Sequence, residues 1–200
     1  MYQYTVSTLD DQSLFFTQYV DGLSARYDNF LEEHILHSTI YSISIDGVHS
    51  GYFGIYDKTM LTQFYIPKGS FKHAQAIFSD ILDQFRIQNA FVPTCDESLL
   101  SLCLDQHCKV NLQAYFFELS DTPVRSAAYP RESLKVATLD DLEEIIRITG
   151  DFIDKHEARI EAEQLYILRE NDAFLGLGVM EDNLIMKKCR ATGMFTNEKY

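Results

Sequence analysis

The chain has 200 residues, 46% of them hydrophobic, and sets 17 Lys and Arg against 30 Asp and Glu, a formal charge of -13. That balance argues against nucleic acid or an anionic membrane as partner, because both are held by clustered basic side chains. No run of about 18 apolar residues is present to cross a bilayer, and the start, MYQYTVSTLDD, lacks the basic and apolar regions of a signal peptide, so a cytoplasmic location is expected.

In chain order, a strand leads into Val6-Ser7-Thr8-Leu9-Asp10-Asp11, and a helix beginning after Thr8 runs to about residue 26, the first of two before the sheet resumes. Strands are predicted over residues 39–45, 51–56 and 60–66, with Asp46-Gly47 turning the first into the second. Pro67-Lys68-Gly69-Ser70 breaks the third strand. A helix follows with Ala74, Ile77, Phe78, Ile81, Leu82 and Phe85 along one side. A strand over 90–93, a short helix over 97–105 and a strand over 110–119 complete the order βααβββαβαβ. That order implies an α/β fold: a mixed, mostly antiparallel sheet flanked by helices. The stretch SDTPVRSAAYPR, with Pro123 and Pro130, reads as a linker, giving expected units at residues 1–122 and 133–200 joined through 123–132.

Beyond the linker the pattern restarts. A short strand at 134–137 meets Thr138, placed to cap a helix whose first turn carries Asp140 and Asp141 and whose apolar face is Leu139, Leu142, Ile145 and Ile146. A second helical stretch is predicted over 151–163, then a hairpin of 164–169 and 173–180, then a strand over 190–196. The restart is visible residue by residue. Val6-Ser7-Thr8-Leu9-Asp10-Asp11 recurs as Val136-Ala137-Thr138-Leu139-Asp140-Asp141, and IYSISIDGVHSGYFGIYD aligns without gaps on LYILRENDAFLGLGVMED, pairing Gly51 with Gly176 and Asp57 with Asp182. Gln63-Phe64 falls on Met194-Phe195 in the same order, so the chain reads as one complete copy and the N-terminal half of a second.

Metal chemistry finds little footing. Cys95, Cys103, Cys108 and Cys189 read as reduced thiols, and the Cys103–Cys108 spacing around His107 is a poor zinc pattern. Glu33-His34 with His37 and His156-Glu157 lack the order of a zinc-helix motif, so no metal is expected.

The order of elements, with LKVATLDDLEEIIRI, LYILRENDAFLGLGVMED and ATGMFTNEKY, resembles the GNAT acetyltransferases. The resemblance implies transfer of an acetyl group from acetyl-CoA to a small-molecule or peptide amine. It places main-chain contacts to the donor's pantetheine arm and thioester on Met194, Phe195 and Thr196. In the family an R/Q-x-x-G-x-G/A loop follows that strand and holds the pyrophosphate. The second copy reaches Tyr200 where that loop would begin, so these 200 residues are expected to be a fragment with an incomplete donor site. The first copy has Lys68-Gly69-Ser70-Phe71-Lys72-His73-Ala74 at the corresponding point, one glycine and a bulky Phe, which reads as a helix start with solvent-facing basic residues. No catalytic residue is assigned; Glu181 and Glu198 are the carboxylates nearest the expected cleft. The alternative is a non-catalytic binding or dimerisation module that forms a homodimer; Phe15, Phe16, Tyr52, Phe53, Tyr56, Phe64 and Tyr65 read first as filling of the first copy's core and second as an apolar interface.

Overall fold

The computed structural model describes residues 1–115, 126–185, 187 and 189–199, in two compact units, Met1–Phe116 and Phe117–Tyr200. The first unit runs β1 (Tyr2–Ser7), α1 (Ser13–Gly22), α2 (Asn29–Leu36), β2 (Thr39–Ile45), β3 (Val48–Tyr56), β4 (Met60–Tyr65), a 3-10 turn over Lys68–His73, α3 (Ala74–Gln84), β5 (Asn89–Ala90) and α4 (Glu97–Asp105). Its sheet has the order β1-β2-β3-β4-β5, antiparallel throughout except that β5 lies parallel to β4. The second unit runs β6 (Leu134–Val136), α5 (Leu142–Thr149), α6 (His156–Glu161), β7 (Leu165–Glu170), β8 (Ala173–Asp182) and β9 (Cys189–Thr196), an antiparallel sheet in that strand order.

Strand alternation divides the first unit's side chains between two faces. Ile43, Phe53, Leu61 and Phe64 meet Ala74, Ile77, Phe78 and Ile81 of α3 and Leu99 and Leu102 of α4 in one core. Each such Ile, Leu or Phe contributes about 1.5–3 kcal/mol through burial. Tyr52, next to Phe53, turns to the opposite face and meets Phe16 and Tyr19 of α1. Asp28 caps α2 by accepting from the Leu31 N–H at 2.9 Å, and Asp96 caps α4 by accepting from the Leu99 N–H at 2.9 Å. In the second unit Ile145, Ile153, Ile160, Leu165, Ile167, Leu177 and Val179 form a core of their own.

The two units repeat each other in backbone detail. Thr8 and Asp11 are bonded side chain to side chain at 2.8 Å, and their counterparts Thr138 and Asp141 form a capping box. Both hairpins turn on two residues at positive φ, Asp46-Gly47 and Asn171-Asp172. The β2–β3 ladder shifts register after Ile43 and the β7–β8 ladder after Leu168; β3–β4 shifts after Gly54 and β8–β9 after Val179. These are the positions that the aligned sequences pair. The bulged residue on the last strand of each set is a threonine, Thr62 and Thr192. A Cβ on Gly51 would stand 2.2 Å from the Tyr65 carbonyl oxygen, and one on Gly176 would stand 2.6 Å from that of Phe195. The structural counterparts of Met194-Phe195 are therefore Phe64-Tyr65, one residue along from the Gln63-Phe64 pairing that the sequence suggests.

Three elements depart from expectation. The first helix ends at Gly22 and not near Arg26, because Leu23 goes extended and the Ser24 N–H bonds the Cys95 carbonyl at 3.2 Å. The stretch expected to be helical over 151–163 is helical only at His156–Glu161; Gly150 ends α5 at φ +57, and the chain turns to bury Ile153. The strand expected over 110–119 is absent from residues 110–115, where Val110, Leu112 and Tyr115 are exposed without a pairing partner, and the rest of it lies outside the described residues. The expected linker over 123–132 falls partly outside the described residues too; a 3-10 turn occupies Arg131–Ser133.

Candidate functional site

β9 is the last strand of its sheet, and among the described residues no strand pairs with its outer edge. Which main-chain groups face that edge follows from one hydrogen bond. The Asn197 N–H donates to the Leu175 carbonyl at 2.8 Å, which fixes the phase of the antiparallel ladder, and Leu177–Phe195 is in phase with it. Gly176–Thr196 and Gly178–Met194 are out of phase, so Met194 and Thr196 turn their N–H and C=O groups away from β8. Phe195 does the opposite: its main chain bonds inward and its ring is half-buried on the core, 5.5 Å from that of Phe152. Of the three residues expected on the donor strand, two thus present main-chain groups outward and the third anchors the strand. Met194 as a whole is 78% exposed.

The carboxylates near this strand are differently placed. Glu181 is in an ion pair with Arg159, which also holds Asp154 at 2.9 Å. The Arg159 guanidinium keeps the Asp154 carboxyl below its ordinary range. Glu198 follows the strand and is exposed. Arg169 ties β7 to the start of α5 by bonding Asp141 at 3.0 Å and Glu144 at 2.5 Å. Burial raises the Asp141 pKa, but the Thr138 N–H and hydroxyl and Arg169 outweigh it, and the net shift is downward. Cys189 opens β9 with its thiol shifted up by burial and by Asp182. A shallow depression lined by Leu142, Ile146, Lys155, His156, Glu157 and Ala158 lies on α5 and α6 and includes no residue of β9.

In the first unit the equivalent place is closed. β5 pairs with β4 at Met60 and Leu61 alone, and the Phe91 N–H extends the contact to the Leu61 carbonyl at 2.9 Å. Past that point the two segments part, and Tyr19, Tyr27, Tyr52, Gln63 and Asp96 are buried on the α1–α2 face, Tyr27, Tyr52 and Gln63 completely. The rings of Tyr19, Tyr52 and Tyr65 lie within 6.4 Å of one another. The hydroxyls of Tyr19, Tyr27 and Tyr52, both amide atoms of Gln63 and Oδ2 of Asp96 make no hydrogen bond of good geometry to the described residues. Burial pushes the Asp96 carboxyl up, against the Leu99 N–H and the Tyr19 hydroxyl, which hold it down. Burial likewise raises Tyr19 and Tyr52, with the nearby Asp96 adding to both. Lys68–His73 is a 3-10 turn in which a Cβ on Gly69 would touch nothing, Phe71 is exposed and His73 Nδ1 lies 3.3 Å from the Tyr2 hydroxyl.

Tyr52, Phe53 and Phe64 are buried, in keeping with the core reading of these aromatics and not with an interface, while Phe15, Phe16, Tyr56 and Tyr65 are half-buried. Gln63 and Asp96 were missed in the sequence, although each left a signal: a polar residue inside the apolar run of β4, and an Asp just before the α4 pattern. Among the described residues no group of three or more His, Cys, Asp or Glu is placed to hold a metal, and no helix is long and apolar enough to cross a membrane.

A family model described as an acetyltransferase (GNAT) domain matches residues 8–120, more than half of the chain. The chain belongs to the GNAT acetyltransferase family. The match falls on the first unit, whereas the motifs that resemble the family most are in the second. Among solved structures, an acetyltransferase of the GNAT family from Colwellia psychrerythraea is similar over 100% of this chain and 79% of its own, with a TM-score of 0.72 at 15% identity. At that identity the likeness is one of fold: a mixed α/β architecture with antiparallel-rich sheets flanked by helices. A tandem GNAT protein from the clavulanic acid biosynthesis pathway, solved without acetyl-CoA, aligns over 100% of this chain and 80% of its own with a TM-score of 0.47 at 11% identity. No curated protein matches the chain.

Proposed function

We propose that this GNAT chain belongs to an enzyme that transfers an acetyl group from acetyl-CoA to an amine, small molecule or peptide, and that β9 of the second unit is a strand that contributes to holding the donor. The observation that carries the reading is the outward main chain of Met194 and Thr196 on an edge that no described strand covers. Acetyl-CoA supplies the activated acyl group when bound. Outward N–H groups on β9 are donors for its pantetheine amides and for the thioester oxygen, whose negative charge grows as the amine attacks. An amine attacks only as the free base, so a group near the strand must take a proton from the ammonium form. Glu181 is committed to Arg159 and is a poor choice for that base. The formal charge of -13 favours a cationic acceptor by long-range attraction.

The test is release of free CoA in the presence of a panel of primary amines and peptides, followed by chromatography. The reading expects amine-dependent release with at least one acceptor. Thr196→Pro, which deletes an outward N–H and leaves the bonds to β8 in place, should cut it tenfold or more with the circular dichroism unchanged. Release that Thr196→Pro does not alter, or no release with any acceptor, rejects it. A second reading is favoured for the first unit alone: its closed Tyr19–Tyr27–Tyr52–Gln63 centre suits a non-catalytic binding or dimerisation module. Sedimentation that shows a monomer at all concentrations removes the dimer from that reading.

A further inference from the structure

The C-terminal end of α4 brings together two thiols that the acetyl-transfer reading does not use. His107 adopts a left-handed conformation at φ +56, its N–H donates to the Leu104 carbonyl at 3.0 Å, and the Cys108 N–H donates to the Cys103 carbonyl at 3.1 Å. This pair of bonds is a Schellman turn, in which the third residue from the helix end and the second residue beyond the cap set their side chains against each other. Here those two residues are Cys103 and Cys108. The main-chain bond and the contact between the two side chains place the thiols side by side, the arrangement that a disulfide needs. Cys103 is 6% exposed and packs into the core beside Leu99 and Leu102, while Cys108 is exposed. Burial, with the Cys108 thiol beside it, pushes the Cys103 thiol up to about 12.

We propose that Cys103 and Cys108 are a paired modification site, oxidised by small disulfides of the glutathione class to an intramolecular disulfide that closes the C-terminal turn of α4. The exposed Cys108 reacts first. Its thiolate attacks one sulfur of the oxidised glutathione, forming a mixed disulfide and expelling one glutathione thiolate. The Cys103 sulfur then attacks the Cys108 sulfur and expels the second glutathione thiolate, which takes up the Cys103 proton. The two protein thiols are oxidised and one glutathione disulfide is reduced to two thiols. Cys95 is buried among other side chains, and Cys189 lies in the other unit.

The test is intact mass and fragmentation without reductant, after incubation with oxidised glutathione, in a Cys189→Ala background. The expected product has lost two hydrogens, carries no glutathione and shows a Cys103–Cys108 link. With Cys103→Ala, one glutathione should remain on Cys108. With Cys108→Ser, whose change is on an exposed side chain and spares the fold, Cys103 should stay unmodified. A persistent mixed disulfide on the parent chain, a link to Cys95, or thiols left untouched overturns the proposal.

Discussion

Gly51 and Gly176 hold corresponding places in the two units, and each lets its strand pass over the carbonyl of the neighbouring strand. A Cβ on Gly51 would clash with the Tyr65 oxygen at 2.2 Å, on a backbone at φ +147 that other residues rarely adopt; at Gly176 the Phe195 oxygen would be 2.6 Å away. Gly51→Ala and Gly176→Ala should each cost about 2–3 kcal/mol in urea unfolding. Gly69→Ala, where the new methyl meets nothing, should change stability by about 0.5 kcal/mol or gain that much. Equal losses at all three would contradict the close approach. Asp96 offers a second test. Its pKa is raised in the folded chain by burial, so the unfolded chain ionises first. The stability that neutral Asp96 supports is complete below the ordinary carboxylate range and is lost as pH rises through the raised value. Asn caps a helix as well as Asp does, and it carries no charge. Asp96→Asn should therefore gain on the parent as pH rises through that window, then run parallel above it, measured by thermal unfolding across pH. A gap that does not change with pH would contradict the burial of a carboxyl beside Tyr19 and Tyr52.

At the level of elements, the sequence showed most of what local chemistry controls. Thr138 with Asp141 announces a helix start, and Asp46-Gly47 announces a two-residue turn. The capping box predicts its own mutation: Thr138→Ala should cost about 1 kcal/mol by loss of the cap. Asp141 is shifted down, so its contribution is present above the ordinary carboxylate range and fades as the pH falls through the lowered value. Thermal unfolding of Thr138→Ala near neutral and in acid checks both, and a difference that grows in acid would contradict the assignment. What stayed hidden was set by pairing across the sheet. Bulges at Thr62 and Thr192 change the register by one residue, and nothing in the residue types of β4 or β9 marks where they fall. Helical composition over 151–155 was overridden by the turn at Gly150 and the burial of Ile153. The outward phase of Met194 and Thr196 was likewise out of reach, because it depends on the bond between Asn197 and Leu175.

For the whole chain, the repeat was legible because it rests on short identities, and the structure deepens it to shared caps, turns, bulges and glycines. The two copies differ at their centres: the first is filled by Tyr19, Tyr27, Tyr52 and Gln63, and in the second no described strand covers the outer edge of β9. The closed centre was not legible, since it gathers residues from α1, the loop before α2, β3, β4 and the α4 cap. The family match thus rests on the first unit and the fold likeness spans the chain, while the donor strand is proposed for the second unit alone. Hydrogen exchange by mass spectrometry, with and without saturating acetyl-CoA, tests that assignment most directly. Slower exchange over residues 189–196 with no change over 60–65 is the predicted result; protection of 60–65 instead, or of neither strand, would contradict it.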